Sequence, residues 1–342
     1  MKLIFCRRII VALVVAGIYL LSVAPVIAQS ESVNRDEWAV PRTSDGRPDL
    51  NGVWANNNAT PLERPAAWAG KDRLSEEELA ALKAAAAKAT DPGQDALFGD
   101  QLVLAAIAGE QGESYDPGTG NYNQFWIVER DFNDQTSLVV DPSDGRIPSL
   151  TEAAKRRQVE RAAYRVDHPA DTYTDVPLSE RCVTYGVPRI GAGYNSYFQI
   201  FQSIDYVVFY MEMNHDARVI PLDSRKPLDS RIQQWHGNSI GRWEGDTLVV
   251  ETANYSSKSN FMGSSDRLKM IERFTRTAAN TLQYEVTIDD PTTWSQPWTV
   301  SIPLMHSDDA LYEYACHEGN YAMEGILAGE RAKEKATLTQ AK

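Results

Sequence analysis

One imidazole and three charged side chains are the groups in this chain best suited to proton chemistry. His236 lies in Gln234-Trp235-His236-Gly237-Asn238-Ser239, a polar stretch ahead of a strand pattern. A histidine between an aromatic residue and a glycine can approach a ligand and exchange protons near neutral pH. The plainer reading is a surface histidine satisfied by water. Glu251, Arg273 and Glu285 fall on successive predicted strands. On an inward face, two carboxylates beside one arginine would separate in proton affinity, giving one acid and one base. On the outer face the same three would form solvated cross-strand pairs worth under about 1 kcal/mol each. Register decides between these, and sequence leaves register open.

Binding groups cluster nearby in the chain. Gly-flanked Tyr194 and Asn195, with Asn123 and Trp126 of Asn121-Tyr122-Asn123-Gln124-Phe125-Trp126, can line a pocket mouth where rings stack and amides orient a ligand. They serve equally well as strand-start packing and turn residues. Arg181 and Arg189 flank this region and can hold an acidic group of a ligand or simply offset a negative surface. None of His168, His215, His306 and His317 has His-x-His or His-x-x-x-His spacing, so no metal site is assigned and zinc would require distant ligands. Gly-x-Gly-x-x-Gly, P-loop, Gly-x-Ser-x-Gly and haem-attachment patterns are missing, which argues against nucleotide, nicotinamide, haem and standard serine-hydrolase chemistry. No cofactor is expected.

The cysteines point to a compartment. Lys2, Arg7 and Arg8 precede an apolar run from Ile9 to Val23, and Val26-Ile27-Ala28 offers small-residue cleavage positions, so residues 1–28 read as a signal peptide. Its removal takes Cys6 and leaves Cys182 and Cys316, an even pair suited to a disulfide in an oxidising space. That bridge would constrain the unfolded chain by roughly 4–5 kcal/mol. The chain carries a formal charge of −13, and about −16 once the three leader cations are gone. Such a surface disfavours nucleic acid and anionic membranes.

Elements able to position these groups follow from periodicity. Residues 29–48 read as an extended lead-in, and residues 49–330 as one β-rich domain with a helical insertion at about 74–165. Residues 331–342 read as a polar tail. Ser75 with Glu78 forms a capping box opening a helix to about Ala89. Phe98–Ala108 is a second helix, and Thr151 caps a third, cationic helix to about Tyr164. Leu50–Trp54 reads as a strand. From residue 180 the pattern turns to period two, with strands at Tyr197–Gln202, Tyr206–Glu212, Thr247–Thr252, Leu268–Thr275, Leu282–Ile288 and Trp298–Ile302. Tyr206–Met211 is apolar on both faces and is expected to be covered twice. The class is mainly β: an antiparallel meander closing into a lipocalin-like barrel or a sandwich, with the N-terminal helices packed on it.

Four stretches carry a resemblance. They are Pro48-Asp49-Leu50-Asn51-Gly52-Val53-Trp54, Tyr122-Asn123-Gln124-Phe125-Trp126, Thr136-Ser137-Leu138-Val139-Val140-Asp141-Pro142-Ser143-Asp144-Gly145-Arg146-Ile147-Pro148 and Gly241-Arg242-Trp243-Glu244-Gly245-Asp246-Thr247-Leu248-Val249-Val250-Glu251-Thr252. Through them the chain resembles a large family of exported bacterial proteins over nearly all of its mature length. The resemblance implies a periplasmic or secreted bacterial protein and brings no activity with it. Where that family's pattern often has histidine, near Asn238 and Lys269, this chain has His236 nearby instead. Gly52-Val53-Trp54 is also similar to the opening of lipocalin-like barrels. The expected function is cofactor-independent acid–base chemistry on an aromatic or polyoxygenated small molecule (isomerase, lyase or hydrolase). His236, Glu251, Arg273 and Glu285 would be its catalytic set, and Tyr194, Asn195, Trp126, Asn123 and Arg189 its binding set. The alternative is a ligand carrier without catalysis.

Overall fold

Alternating apolar residues on ten segments generate one antiparallel sheet in the computed structural model, which describes residues 38–90, 95–110, 122–223, 225–259 and 261–340. Its strands are β1 (Gly52–Ala55), β2 (Val139–Asp141), β3 (Tyr197–Gln202), β4 (Tyr206–Met211), β5 (Ala217–Pro221), β6 (Asn238–Glu244), β7 (Thr247–Ala253), β8 (Lys269–Ala278), β9 (Thr281–Asp289) and β10 (Trp298–Ser307). The order is β5-β4-β3-β1-β10-β9-β8-β7-β6, with β2 added on β10. Among the described residues four α-helices accompany it: α1 (Glu76–Ala89), α2 (Gln101–Ala108), α3 (Glu152–Asp167) and α4 (Tyr321–Gln340). The predicted signal peptide and residues 29–37 of the lead-in lie outside the described residues. Among the described residues no helix is long and apolar enough to cross a membrane.

The sheet is strongly curled. Phe209 on β4 lies 4.7 Å from Phe274 on β8, ring to ring, although five strand steps separate them in the sheet order. Phe274 in turn stacks on Tyr284 at 4.7 Å. Around these rings Trp54, Ile200, Val207, Leu248, Val286, Val300 and Ile302 are buried to form the main core. At 25 cal/mol per Å², burying each large side chain contributes on the order of 2 kcal/mol. Apart from the buried Arg218, Ser239, Thr252 and Glu272, the inward positions are occupied mainly by packed apolar side chains.

The expected lipocalin-like closure is not met. β5 and β6, the two ends of the sheet, form no backbone ladder with each other. Their side chains meet instead. A Cβ at Gly241 of β6 would stand 2.9 Å from Ile220 Cγ2 of β5, so glycine permits the close approach. The seam is also stitched by charge. Arg218 of β5 donates Nη1 to Glu272 Oε1 at 3.0 Å and Nη2 to Glu272 Oε2 at 2.6 Å, and Nη2 reaches Ser239 Oγ of β6 at 3.2 Å. Tyr284 donates its hydroxyl to the same carboxylate at 2.9 Å.

Two expectations about packing are corrected. The N-terminal helices do not cover β4: Tyr206 and Tyr210 remain 39% and 37% exposed, so that strand is buried on one face only. α1 and α2 gather Ala86, Leu102 and Ala106, with Leu97 of the connection between them, into a separate small core. Residues 331–340, within the segment read as a polar tail, are the end of α4, which buries none of its side chains.

Candidate functional site

A cleft of about 1420 Å³ opens beside the curled sheet. Its apolar floor includes Leu138, Val187, Ile190, Leu268 and Tyr255. Walls come from three elements: the residue 173–192 connection ahead of β3, one face of α3, and the turn after β7 that carries Tyr255, Lys258 and Phe261. A fourth edge is formed by Asn58–Leu62, Asp100–Gln101 and Arg130.

The residue 173–192 connection is irregular, and three fastenings fix it. Cys182 is joined to Cys316 in a disulfide, Cα atoms 5.7 Å apart, as the cysteine pairing leads one to expect. Asn56, at the end of β1, donates Nδ2 to the Ile190 carbonyl at 2.9 Å. Thr184 donates its hydroxyl to Asp216 Oδ2 at 2.8 Å, and the backbone N–H of Gly186 donates to Thr184 Oγ1 at 2.8 Å.

α3 is aimed by its own cap and by one arginine. Thr151 accepts from the Ala154 N–H at 3.1 Å and donates its hydroxyl to the Thr292 carbonyl at 2.8 Å. Arg157 donates Nη2 to Thr293 Oγ1 at 2.8 Å, tying the helix to the connection between β9 and β10. Arg161 and Arg165 follow at intervals of four, so they lie on the stripe begun by Arg157 and reach the cleft.

Charge sets this cleft apart. Six cationic side chains line it (Arg130, Arg161, Arg165, Arg181, Arg189 and Lys258) against two carboxylates, Asp100 and Asp175, in a chain of formal charge −13. Both acids are already engaged. Asp100 accepts the Leu62 N–H at 3.1 Å, and Asp175 accepts from Tyr164 and from the Thr172 N–H. Burial pushes the Asp100 carboxyl above its ordinary value, against the pull of the Leu62 N–H and Arg130. Arg130 donates Nη2 to the Asn58 carbonyl at 2.6 Å, and desolvation lowers its guanidinium from the usual value. The guanidinium groups of Arg161, Arg165, Arg181 and Arg189 and the Lys258 ammonium make no hydrogen bond or ion pair to any described residue. Arg189 instead lies 4.7 Å over the Tyr185 ring, and Arg181 5.0 Å over Tyr173. Desolvation also lowers the Arg189 guanidinium, with Tyr185 and Asp216 acting the other way, yet a guanidinium stays charged at any physiological pH.

His236 stands at the edge of this cleft. Its Nε2 meets Thr184 Oγ1 and lies 3.5 Å from Asp216 Oδ2, while Thr184 and Trp235 both face the cleft. With the hydroxyl proton on Asp216, the His236 Nε2–H donates to Thr184. Hydroxyl and carboxylate thus share one ring nitrogen, which is not the line of nucleophile, base and orienting acid used in acyl transfer. The other nitrogen, Nδ1, makes no hydrogen bond to a described residue.

The remaining catalytic candidates are not brought to His236. Glu251 is exposed and pairs with Arg242; Arg273 donates Nη1 to Glu244 at 3.0 Å; Glu285 accepts from Ser301 at 3.2 Å. Register explains this. Val249, Arg273 and Glu285 stand opposite one another across β7, β8 and β9, on the face turned away from Phe274 and Tyr284. The binding candidates divide. Arg189 lines the cleft, whereas Tyr194 stacks against Tyr122 and Phe98, and Asn195 donates to Glu212 at 2.6 Å. Asn123 and Trp126 belong to a 3-10 turn over Gln124–Trp126, where Trp126 is 66% exposed. The sequence reading missed Arg161, Arg165 and Lys258. The spacing of four after Arg157 carried the signal for the first two. Among the described residues no group of three or more His, Cys, Asp or Glu is placed to hold a metal ion.

Comparison of the chain with protein-family models, with curated proteins and with solved structures returned no match.

Proposed function

We propose that this chain is an exported protein that binds a small organic molecule in the cleft beside its sheet. The observation that carries this reading is the cleft itself: about 1420 Å³, with an apolar floor and polar walls held by a disulfide and by side-chain fastenings. Drug-sized ligands occupy pockets of roughly 300–1,000 Å³ built in that manner. Export is supported by the N-terminal sequence pattern and by the oxidised cysteine pair, a feature of proteins outside reducing compartments.

Mass spectrometry of the natively purified protein tests it. A compound is expected to be released on denaturation, and to be recovered in smaller amount from Ala192→Trp, which places an indole in the cleft lining. An empty wild type that gains no thermal stability from any compound in a small-molecule screen would overturn the reading.

Acid–base turnover of that molecule is a second reading, favoured by the free Nδ1 of His236 at the cleft edge. A released compound that changes on incubation with the wild type but not with His236→Ala supports it; identical recovery from both leaves a carrier.

A further inference from the structure

We infer that the molecule taken up by the cleft is a small organic anion with an aromatic or otherwise planar apolar body, its acidic group held at Arg189. This rests on the cleft being a ligand site and specifies what that site selects. Arg189 combines three properties seldom found together. It is half-buried; one face of its guanidinium is covered by the Tyr185 ring at 4.7 Å; and its five N–H donors have no acceptor among the described residues. A desolvated donor fork without an acceptor costs free energy, and a planar carboxylate, sulfonate or phosphate oxygen pair matches it bidentately.

A field around it points the same way. Arg161 and Arg165 are one turn apart on α3, where like charges repel, and burial together with Arg157 and Arg165 lowers Arg161 from its usual value. An anion in the cleft relieves that repulsion, and no carboxylate of the described residues pairs with either arginine. The apolar part follows from the floor of Leu138, Ile190, Leu268 and Phe261, a surface for a ring rather than for an inorganic ion. A long polyanion is disfavoured by the formal charge of −13 carried by the chain as a whole.

Two fluorescent probes that share a scaffold separate the terms: 8-anilinonaphthalene-1-sulfonate, and the neutral N-phenyl-1-naphthylamine. The sulfonate is expected to bind the wild type at least tenfold more tightly than the neutral amine. Arg189→Gln should weaken the sulfonate about tenfold and the amine less than twofold. Arg161→Gln combined with Arg181→Gln, a pair nearer the surface, should flatten the salt dependence of sulfonate binding. Arg231→Gln, whose ion pair with Asp229 is exposed and outside the cleft lining, should change neither probe. Equal binding of both probes, untouched by Arg189→Gln and by the double variant, overturns the anion inference and leaves the cleft reading standing. Failure of both probes to bind overturns the anion inference; the cleft reading falls with it where the wild type is also empty and gains no thermal stability in the small-molecule screen.

Discussion

Glu272 shows how one inward carboxylate can organise a core. It is 1% exposed and accepts two arginine N–H groups and one tyrosine hydroxyl. Removing one partner of such a pair strands the other charge, so Glu272→Ala is expected to cost about 3–5 kcal/mol in urea unfolding. Replacing both partners together, Arg218→Met with Glu272→Leu, should recover most of that loss. The inward position was legible from sequence, because Met270 and Phe274 alternate with Ile271 and Arg273. Its partner was not, since Arg218 sits 54 residues earlier on the opposite edge of the sheet. The same register turns Glu251, Arg273 and Glu285 outward, so Gln at Glu251 or Glu285 is expected to leave ligand binding within twofold. Asp290 gives a test by pH. Burial alone would raise its carboxyl, but donations from the Thr293 hydroxyl, the Ser265 N–H and the Thr292 hydroxyl outweigh it and hold the group below its ordinary value. A depressed carboxyl contributes stability that is present above the unfolded value, about 3.9, and is lost as pH falls through the folded one. Asp290→Asn should therefore be less stable than wild type at pH 6, with the gap shrinking below about pH 4 in thermal melts.

At the scale of elements, local signals were readable where they were self-contained. The capping box is present in full: Ser75 accepts from the Glu78 N–H at 3.2 Å, and Glu78 accepts from the Ser75 N–H at 2.9 Å. The hairpin from β8 to β9 follows directly from its alternation. β5 was not readable, because Ala217-Arg218-Val219-Ile220-Pro221 places an arginine inward and ends in proline, tolerable only at a sheet edge. α4 escaped because its sequence has no apolar stripe and includes Gly325 and Gly329, and the helix buries nothing. The seam between β5 and β6 gives this scale its prediction. At Gly241→Val the new branch meets the fixed Cγ2 of the fully buried Ile220, and overpacking of that kind costs about 1–3 kcal/mol. Thermal unfolding checks it, with Gly245→Ala as the contrast: that turn glycine has φ +60 but open space around it, so any loss there is backbone strain alone.

Across the whole molecule, sheet and cleft depend on different reinforcements. The sheet is secured by its core and ladder, whereas the cleft wall is an irregular connection pinned by the Cys182–Cys316 bond across 134 residues. Serine at both positions is expected to lower unfolding free energy by roughly 4–5 kcal/mol in the chain-entropy estimate. Binding of the sulfonate probe should fall further than that of the neutral amine, because Arg181 and Arg189 flank the severed anchor. Circular dichroism in the strand region should be preserved at low temperature. The position of that one bond also bears on timing. If the chain is exported as proposed, it meets its oxidant only after leaving the cytoplasm; the proposed anion site would then travel without its anchor and would pass abundant intracellular acids while still weak for them.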